Sequence, residues 1–199
     1  MSLVTLVSGG IDSTLMSILA KEEGISIFPL FIDYGQLCLE REWRAARFTH
    51  QKHGLPNPVL VNLSGYGRLI SSGLTNPAVR VNEDAFLPGR NLLFLLVGCA
   101  YAYQVKADAV AIGLLDEAAR LFPDQSLVFV ENAQRLVRES MNYSVSIVTP
   151  LAHLSKREVL GLAKEKGIVD SYSCHAGTDP PCGVCVSCEE VRMAQSEEK

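Results

Sequence analysis

Three features that are missing or scarce narrow the classes of protein to which this sequence can belong. Basic residues are outnumbered, with 18 Lys and Arg against 22 Asp and Glu, which argues against a broad basic surface for DNA or RNA but leaves a local basic patch open. The longest apolar-rich run, residues 92–105, contains Gly98 and Gln104 and is short for a membrane span. No secretory signal pattern begins the sequence. We therefore expect a cytoplasmic protein with a small-molecule substrate, no membrane contact and no direct nucleic-acid binding.

Internal repeats and low-complexity linkers are also missing, and the 199 residues are enough for one domain with a small appendage. Strand-like segments at residues 3–7, 25–32, 59–63, 109–112 and 146–148 alternate with helical patterns. This alternation predicts an α/β fold with about five parallel strands and helices on both faces of the sheet. Two irregular segments, residues 64–90 and 114–126, resemble ligand-binding loops.

The motif Ser8-Gly9-Gly10-Ile11-Asp12-Ser13-Thr14 follows the first strand and begins a helix. Glycines in the turn and free N–H groups at the helix start make an anion site. No lysine follows the glycines as a P-loop requires, and the G-x-G-x-x-G dinucleotide pattern is absent. The remaining pattern resembles the pyrophosphate loop of the enzymes that split ATP into AMP and pyrophosphate. A plain turn capped by Asp12 or Ser13 is the alternative.

A second polar element, Phe86-Leu87-Pro88-Gly89-Arg90-Asn91, precedes the long apolar helix. Proline and glycine predict a turn, after which Arg90 and Asn91 begin the helix. The guanidinium of Arg90 can bind a phosphate or a carboxylate through two hydrogen bonds. The alternative is a plain turn with Asn91 near the helix cap.

The six cysteines are unevenly distributed. Cys38 and Cys99 stand alone inside predicted helices and are interpreted as buried thiols. The other four have the spacing of a closed tetrahedral Zn²⁺ site, which predicts a structural metal knuckle; they are Cys174, Cys182, Cys185 and Cys188. An iron–sulfur cluster and a redox disulfide are the alternatives, and His175 beside the first ligand is unassigned.

Taken in order, these motifs resemble those of the 7-cyano-7-deazaguanine synthase family of the queuosine pathway. The resemblance covers nearly the whole chain and includes Tyr34-Gly35-Gln36 and Thr149-Pro150-Leu151 followed by Lys156. It implies a Rossmann-like fold of the adenine nucleotide alpha hydrolase type at residues 1–170, followed by a four-cysteine zinc segment at 171–199. It also implies a homodimer.

The resemblance implies an ATP-dependent ligase. A substrate carboxylate attacks the α-phosphate of ATP, ammonia converts the acyl-adenylate to an amide, and a second ATP activates the amide for dehydration to the nitrile. Asp12 is expected to hold Mg²⁺, and Arg90 and Lys156 to offset developing charge; an exposed surface lysine is the alternative for Lys156. The implied ATP-binding residues are Ser8, Gly9, Gly10, Ile11, Asp12, Ser13, Thr14 and Gly113. The implied substrate residues are Tyr34, Gln36, Phe86, Pro88, Gly89, Asn91, Asp116 and Asp124.

The segment 114–126 departs from the family pattern of an acidic residue followed by T-D-x-S-G-Y-P-D-C-R. Asp116, Pro123 and Asp124 match, but Ala118, Arg120 and Leu121 stand where the family has an acid, a serine and a glycine. Leu37 and Cys38 likewise replace Arg-His after Gln36. Two alternatives therefore stay open: an AMP-forming amidating or sulfur-transferring enzyme for another carboxylate or a macromolecule, and a non-catalytic ATP-binding module.

Overall fold

Strand β1 (Ser2–Val7) lies at the centre of a parallel sheet, as its run of buried apolar residues favours. In the computed structural model, which describes residues 1–116, 118 and 120–196, the sheet has five strands in the order β3-β2-β1-β4-β5. The other strands are β2 (Ser26–Asp33), β3 (Val59–Asn62), β4 (Ala109–Ala111) and β5 (Ser146–Val148). Every pairing in this sheet is parallel.

Helices cover both faces of the sheet. They are α1 (Ile11–Glu22), α2 (Leu39–Lys52), α3 (Ser64–Leu69), α4 (Arg90–Val105), α5 (Leu127–Met141), α6 (Lys156–Glu165) and α7 (Val186–Ser196). Side chains of β1 alternate between two apolar cores: Val4 packs in the core that contains Leu95 of α4, and Leu3 in the core that contains Leu15 of α1. The predicted α/β fold with helices on both faces is therefore confirmed.

The strand order reverses beside β1. The chain extends the sheet through β2 and β3 on one side, then returns to add β4 and β5 on the other. At such a reversal the connections after neighbouring strands leave in opposite directions and open a crevice at the carboxyl ends of the strands. The functional site is expected in this crevice.

The structure differs from the sequence interpretation at two helices and one cysteine. The segment 64–90, predicted as irregular, contains the short helix α3, whose two glycines obscure a helical pattern. Helix α7 begins between cysteines that the sequence indicated only as a knuckle. Cys38 precedes α2 as its N-cap residue and so does not lie inside a helix.

The segment after residue 170 packs against the first part of the chain. The Tyr172 backbone N–H donates to the carbonyl of Gly9 over 2.9 Å. Arg41 of α2 donates to the Gly177 carbonyl and forms an ion pair with Asp179 at 3.2 Å. A division into domains at residue 170 stays a prediction, and residues 197–199 lie outside the described part. Within the described residues, no helix combines the length and the apolar character needed to cross a membrane.

Candidate active site and metal centre

A cleft of about 270 Å³ opens at the carboxyl ends of β1, β2 and β4. Its lining includes Ser8 and Asp12 after β1, Tyr34 after β2, and Gly113 after β4. The cleft is therefore in the crevice that the reversal of strand order creates.

Backbone and hydroxyl groups of the loop from Ser8 to Thr14 stabilise its shape. The Ser8 backbone N–H donates to Ser13 Oγ over 3.1 Å, and Ser13 Oγ lies 3.3 Å from the Gly10 carbonyl, to which it donates. Helix α1 has Gly10 as its N-cap, with no side-chain cap among the described residues. The expected alternative of an Asp12 or Ser13 cap is therefore wrong. The first N–H groups of α1 are available to an anion.

Gly9 allows this loop to lie directly on α2. Its φ is +78°, and a Cβ built there would be 2.3 Å from the carbonyl oxygen of Glu42. Only glycine fits both the left-handed backbone and the close contact. The loop therefore packs against α2 and is also hydrogen-bonded to the Tyr172 backbone N–H of the C-terminal segment.

Asp12 and Lys156 form a half-buried ion pair across the cleft edge. Lys156 Nζ lies 2.8 and 2.9 Å from the two carboxylate oxygens of Asp12, and its side chain is only 12% exposed. The alternative of an exposed surface lysine is therefore wrong for Lys156. The pair unites the first turn of α1 with the first residue of α6, where both helix N-termini favour a bound anion.

Glu190 of α7 is a cleft residue that the sequence interpretation missed. Its side chain lines the cleft, and burial raises its pKa, with Lys156 acting in the opposite direction and Asp12 in the same direction. A glutamate two positions after a cysteine ligand carries no signal of its own in the sequence. Only the packing of α7 beside α1 and α6 reveals it.

Arg90 projects into the other end of the cleft. Gly89 precedes it in the left-handed conformation and is the N-cap of α4. The guanidinium lies 5.8 Å from the ring centre of Tyr34 and 6.0 Å from that of Phe94. Within the described ranges Arg90 forms no ion pair with a carboxylate, so its charge is available to a bound anion.

The turn before Arg90 is anchored by contacts with neighbouring segments of the chain. Phe86 packs on Phe122 with ring centres 5.2 Å apart, and the Tyr66 hydroxyl donates to the Pro88 carbonyl. Asn91 Nδ2 donates to the Asp124 carbonyl over 2.9 Å and does not cap the helix. These contacts join the two irregular segments, so the position of Arg90 depends on both.

A buried polar cluster forms the floor beneath Tyr34. Gln36 accepts a hydrogen bond from the Tyr34 backbone N–H at 2.9 Å, and its amide donates to the carboxylate of Glu42 at 3.1 Å. Burial raises the pKa of Glu42, whereas hydrogen bonds from Gln36 and Cys38 act in the opposite direction. Burial also raises the pKa of Tyr34, so its phenol stays protonated at neutral pH.

The structure places the predicted site residues in three groups. The cleft lining contains Ser8, Gly10, Asp12, Ser13, Tyr34, Gln36, Arg90, Asn91 and Gly113. Gly9, Ile11, Thr14, Phe86, Pro88, Gly89 and Asp124 are not among the lining residues, and Lys156 contacts the lining through Asp12. Asp116 lines an adjoining recess of about 90 Å³. In the same loop, Glu117 and Ala119 lie outside the described residues.

Besides Glu190, the last part of the chain contributes Tyr172, Ser173 and His175 to the cleft. Burial lowers the pKa of His175 to about 4, and the positive charge of Arg90 acts in the same direction. His175 is therefore a neutral ring at physiological pH. Its place directly after a cysteine ligand was visible in the sequence, but nothing there indicated that it faces the cleft.

The four C-terminal cysteines converge as their spacing predicts. Their sulfur atoms all lie within 4.8 Å of one another. A tetrahedral zinc with Zn–S bonds of about 2.3 Å needs sulfurs roughly 3.8 Å apart, so a small contraction suffices. Backbone N–H groups of Cys182 and Cys185 already donate to the sulfurs of Cys174 and Cys182. The donor set fits Zn²⁺.

The surroundings of the sulfur atoms shift the pKa values of three of the thiols. Burial alone would raise the pKa of Cys174, but hydrogen bonds from Cys182, Ala176 and Thr178 outweigh it and lower that pKa to about 6. Burial raises the pKa of Cys185 and Cys188. A dication bound by the four sulfurs would stabilise them as thiolates.

Comparison with known families agrees with this geometry. The family model described as "Queuosine biosynthesis protein QueC" matches residues 2–198. This chain belongs to the QueC family. A 7-cyano-7-deazaguanine synthase of Methanothermobacter thermautotrophicus is 33% identical over 98% of this chain and 94% of its own length. The synthase of Campylobacter concisus is 29% identical over 93% of this chain and 89% of its own.

Two solved structures share the fold of this QueC family member at low sequence identity. A U34-tRNA thiolase from Methanococcus maripaludis with its [4Fe-4S] cluster aligns with a TM-score of 0.57 and 17% identity, over all of this chain and 66% of its own. NMN synthetase from Francisella tularensis aligns with a TM-score of 0.53 and 17% identity, over 99% of this chain and 84% of its own. These neighbours therefore show that the α/β fold of this chain occurs in both proteins.

Proposed function

We propose that this protein is an ATP-dependent carbon–nitrogen ligase that converts 7-carboxy-7-deazaguanine and ammonia into 7-cyano-7-deazaguanine. One observation carries the proposal: the cleft holds the Ser8–Thr14 loop and an arginine without a carboxylate partner among the described residues. Membership of the QueC family and relatives that are 7-cyano-7-deazaguanine synthases support the choice of substrate.

The loop and its surroundings are suited to the triphosphate of ATP. Backbone and hydroxyl donors of Ser8, Gly9, Gly10, Ser13 and Thr14 would bind the pyrophosphate, with Ile11 and Gly113 completing the backbone around it. Lys156 would leave Asp12 for a phosphate oxygen and offset the charge that develops there. The freed Asp12 carboxylate is the residue that would hold Mg²⁺, since hard cations prefer oxygen ligands.

The reaction proceeds by two adenylations. The substrate carboxylate oxygen attacks the α-phosphorus, the bond between the α- and β-phosphates breaks, and pyrophosphate leaves. Ammonia then attacks the acyl carbon, AMP departs with the former carboxylate oxygen, and the amide forms. The amide oxygen attacks the α-phosphorus of a second ATP, a second pyrophosphate leaves with loss of a proton from the amide nitrogen, and departure of AMP and the remaining N–H proton gives the nitrile. Arg90 is suited to orient the carboxylate, because its planar fork matches two oxygens.

The acceptor would occupy the aromatic end of the cleft. Tyr34 and Phe94 flank Arg90 there, and Gln36 is held below by Glu42. The remaining predicted substrate residues would shape this end through the contacts between the two irregular segments; they are Phe86, Pro88, Gly89, Asn91, Asp116 and Asp124. A filled tetrahedral zinc site supplies no open position for substrate, so the metal would have a structural role.

Incubation with ATP, Mg²⁺, ammonium and 7-carboxy-7-deazaguanine tests the function. Pyrophosphate and AMP should appear only with the acid present, and mass spectrometry should detect the amide and then the nitrile. Asp12→Ala should abolish the release. Acid-dependent ADP without AMP would contradict the mechanism, and ATP binding without acceptor-dependent release would favour a non-catalytic module.

A second candidate is an AMP-forming ligase or sulfur transferase for a different carboxylate or a macromolecular substrate. The observation that favours it is the exchange of the family's polar residues for Ala118, Arg120 and Leu121 near the cleft. Pyrophosphate release that ignores the deazaguanine acid but responds to another carboxylate would select this candidate.

We also propose that the protein acts in the cytoplasm as a homodimer, without direct nucleic-acid or membrane binding, and that residues 171–199 form a separate zinc-binding segment. Exposed apolar side chains seven residues apart on α4, Leu96 and Tyr103, support self-association. Light scattering should give twice the mass of the chain. A monomer at micromolar concentration would contradict the dimer without affecting the ligase proposal.

A further inference from the structure

His175 is a cleft residue to which the ligase mechanism gives no task. Its imidazole belongs to the lining of the cleft. Nδ1 is buried and has no hydrogen-bond partner within the described part of the chain. Buried polar atoms without partners are uncommon, and each costs free energy unless a ligand or water satisfies it.

The position of His175 is set from both sides. Tyr172 and Ser173, which precede it in the chain, line the cleft, and the Tyr172 backbone N–H donates to the Gly9 carbonyl. The residue directly before it is Cys174, a predicted metal ligand whose sulfur accepts a hydrogen bond from the Cys182 backbone N–H at 3.3 Å. The His175 ring is therefore carried by a short segment that is held by contacts with the nucleotide loop and by its place in the four-cysteine cluster. Side chains that bind a ligand are commonly positioned by supporting contacts of this kind.

The neighbours of His175 indicate which substrate it would meet. The ring lines the same cleft as Arg90. Arg90 in turn lies over Tyr34 and Phe94. A guanidinium, an imidazole and two aromatic rings form a site for a planar heteroaromatic acid. The triphosphate has its own donors in the Ser8–Thr14 loop, so it does not require the imidazole.

We propose that His175 is a specificity residue that hydrogen-bonds the heteroaromatic acceptor acid at the Arg90 end of the cleft. The inference rests on the proposed ligase function and extends it: the segment that holds the metal also supplies a wall of the acceptor site. Discrimination arises because an acid without a matching polar group leaves the imidazole unsatisfied.

Three substitutions in the full-length, metal-loaded protein separate hydrogen bonding from shape. His175→Phe keeps a planar ring and removes both nitrogens, His175→Asn places an amide near the Nδ1 position, and His175→Gln places one near the Nε2 position. Steady-state pyrophosphate release gives KM for 7-carboxy-7-deazaguanine, KM for ATP and kcat. Metal per chain is measured for each variant to verify that the cysteine cluster is intact.

We expect His175→Phe to raise KM for the acid by about tenfold to a hundredfold, with KM for ATP within about twofold of wild type. Either His175→Asn or His175→Gln should recover most of this loss and identify the nitrogen involved. An unchanged KM for the acid in His175→Phe would overturn the proposal, as would equal increases in both KM values. Should His175→Phe lose its metal, the Asn and Gln variants decide: wild-type KM for the acid in at least one supports the role, and an equal loss in both contradicts it.

Calorimetric titration of the acid in the presence of a non-hydrolysable ATP analogue distinguishes this inference from the ligase proposal. Binding to wild type that is lost in His175→Phe supports the role of His175 even if no turnover occurs, in which case only the ligase proposal fails. Wild-type binding that persists in His175→Phe contradicts the role alone. Absence of binding to wild type would contradict both.

Discussion

The two ends of the cleft are built in different ways. At the nucleotide end, the polar groups of Ser8, Gly10 and Ser13 are neighbours in the chain and bond to one another across a single strand-to-helix turn. At the acceptor end, Tyr34, Arg90 and His175 come from three distant segments, each supported by different contacts. A local motif can keep its shape when its surroundings change, whereas an assembled wall changes with every segment that contributes to it. Chemistry shared across a fold belongs at the first end, and choice of substrate at the second.

The largest expected effect concerns the ion pair of Lys156 and Asp12 at the nucleotide end. Lys156→Ala should reduce kcat/KM for pyrophosphate release by about a hundredfold or more, because it would remove a half-buried cation beside the departing pyrophosphate. Lys166→Ala is the matched control, since Lys166 and Glu22 join the same two helices by a 2.6 Å pair that is more exposed. A loss below about twofold is expected there. Equal losses in both variants would mean that Lys156 only holds α6 against α1.

Metal removal should affect the acceptor end more than the nucleotide end. Cys185→Ser is expected to lose the bound metal, lower the melting temperature and raise KM for the acid, because the wall that carries His175 loses its anchor. Cys99→Ser replaces another fully buried thiol, far from the cluster, and should retain the metal. Elemental analysis identifies the bound metal. Iron together with an equimolar amount of sulfide would show that the four cysteines hold an iron–sulfur cluster and not zinc.

Because the nucleotide loop packs closely on α2, substitution of Gly9 is expected to lower the stability of the protein through a steric contact as well as through backbone strain. Gly9→Ala should destabilise the protein by about 2 to 4 kcal/mol, since its Cβ would be 2.3 Å from the Glu42 carbonyl oxygen. Gly24→Ala has a similar φ of +72° with nothing within 4 Å of the added Cβ, so about 1 kcal/mol is expected. Thermal unfolding of the two variants measures the difference. Similar melting temperatures for the two variants would show that α2 can move to accommodate the added Cβ at little cost in free energy.

The smallest expected effect is on the pH dependence of stability and concerns Glu42, which belongs to the buried polar cluster beneath Tyr34. Burial raises the pKa of Glu42 above its ordinary value, so the folded protein holds a proton that the unfolded chain releases. Stability is therefore expected to fall as pH rises from the ordinary carboxyl pKa through the raised one. Glu42→Gln lacks this loss, and its melting temperature should match wild type near pH 4 and exceed it increasingly towards pH 8. Glu40→Gln, at an exposed position on the same helix, is the control; a pH-independent difference for Glu42→Gln would contradict this account.

The same contrast explains how much the sequence could reveal. The periodicity of apolar residues and the positions of glycines predicted the five strands and the main helices, because a few consecutive residues determine whether a segment forms a strand or a helix. The Ser8–Thr14 loop and the four cysteines were recognisable because their ligating groups are close in sequence. Their roles in binding remain predictions that the variants above test.

The acceptor end could not be predicted in this way. Nothing local distinguishes Glu42 from other glutamates of an amphipathic helix, or His175 from a spacer between cysteines. Helix α3 and the N-terminal part of α7 lack the apolar periodicity that marks a helix, since packing and not pattern decides them. Lys156 could be placed at a helix start, but its pairing with Asp12 depends on how α6 lies beside α1.

The ion pair between Asp12 and Lys156 joins residues 144 positions apart in the chain. During synthesis on a ribosome, the Ser8–Thr14 loop leaves the tunnel early, long before the lysine and the Tyr172 backbone that complete its surroundings. A nascent chain therefore carries this loop before Lys156 and Tyr172 can contact it. Under the proposed function, capture of ATP would be a late event in biogenesis, and tight binding of ATP would report that the whole fold has been assembled.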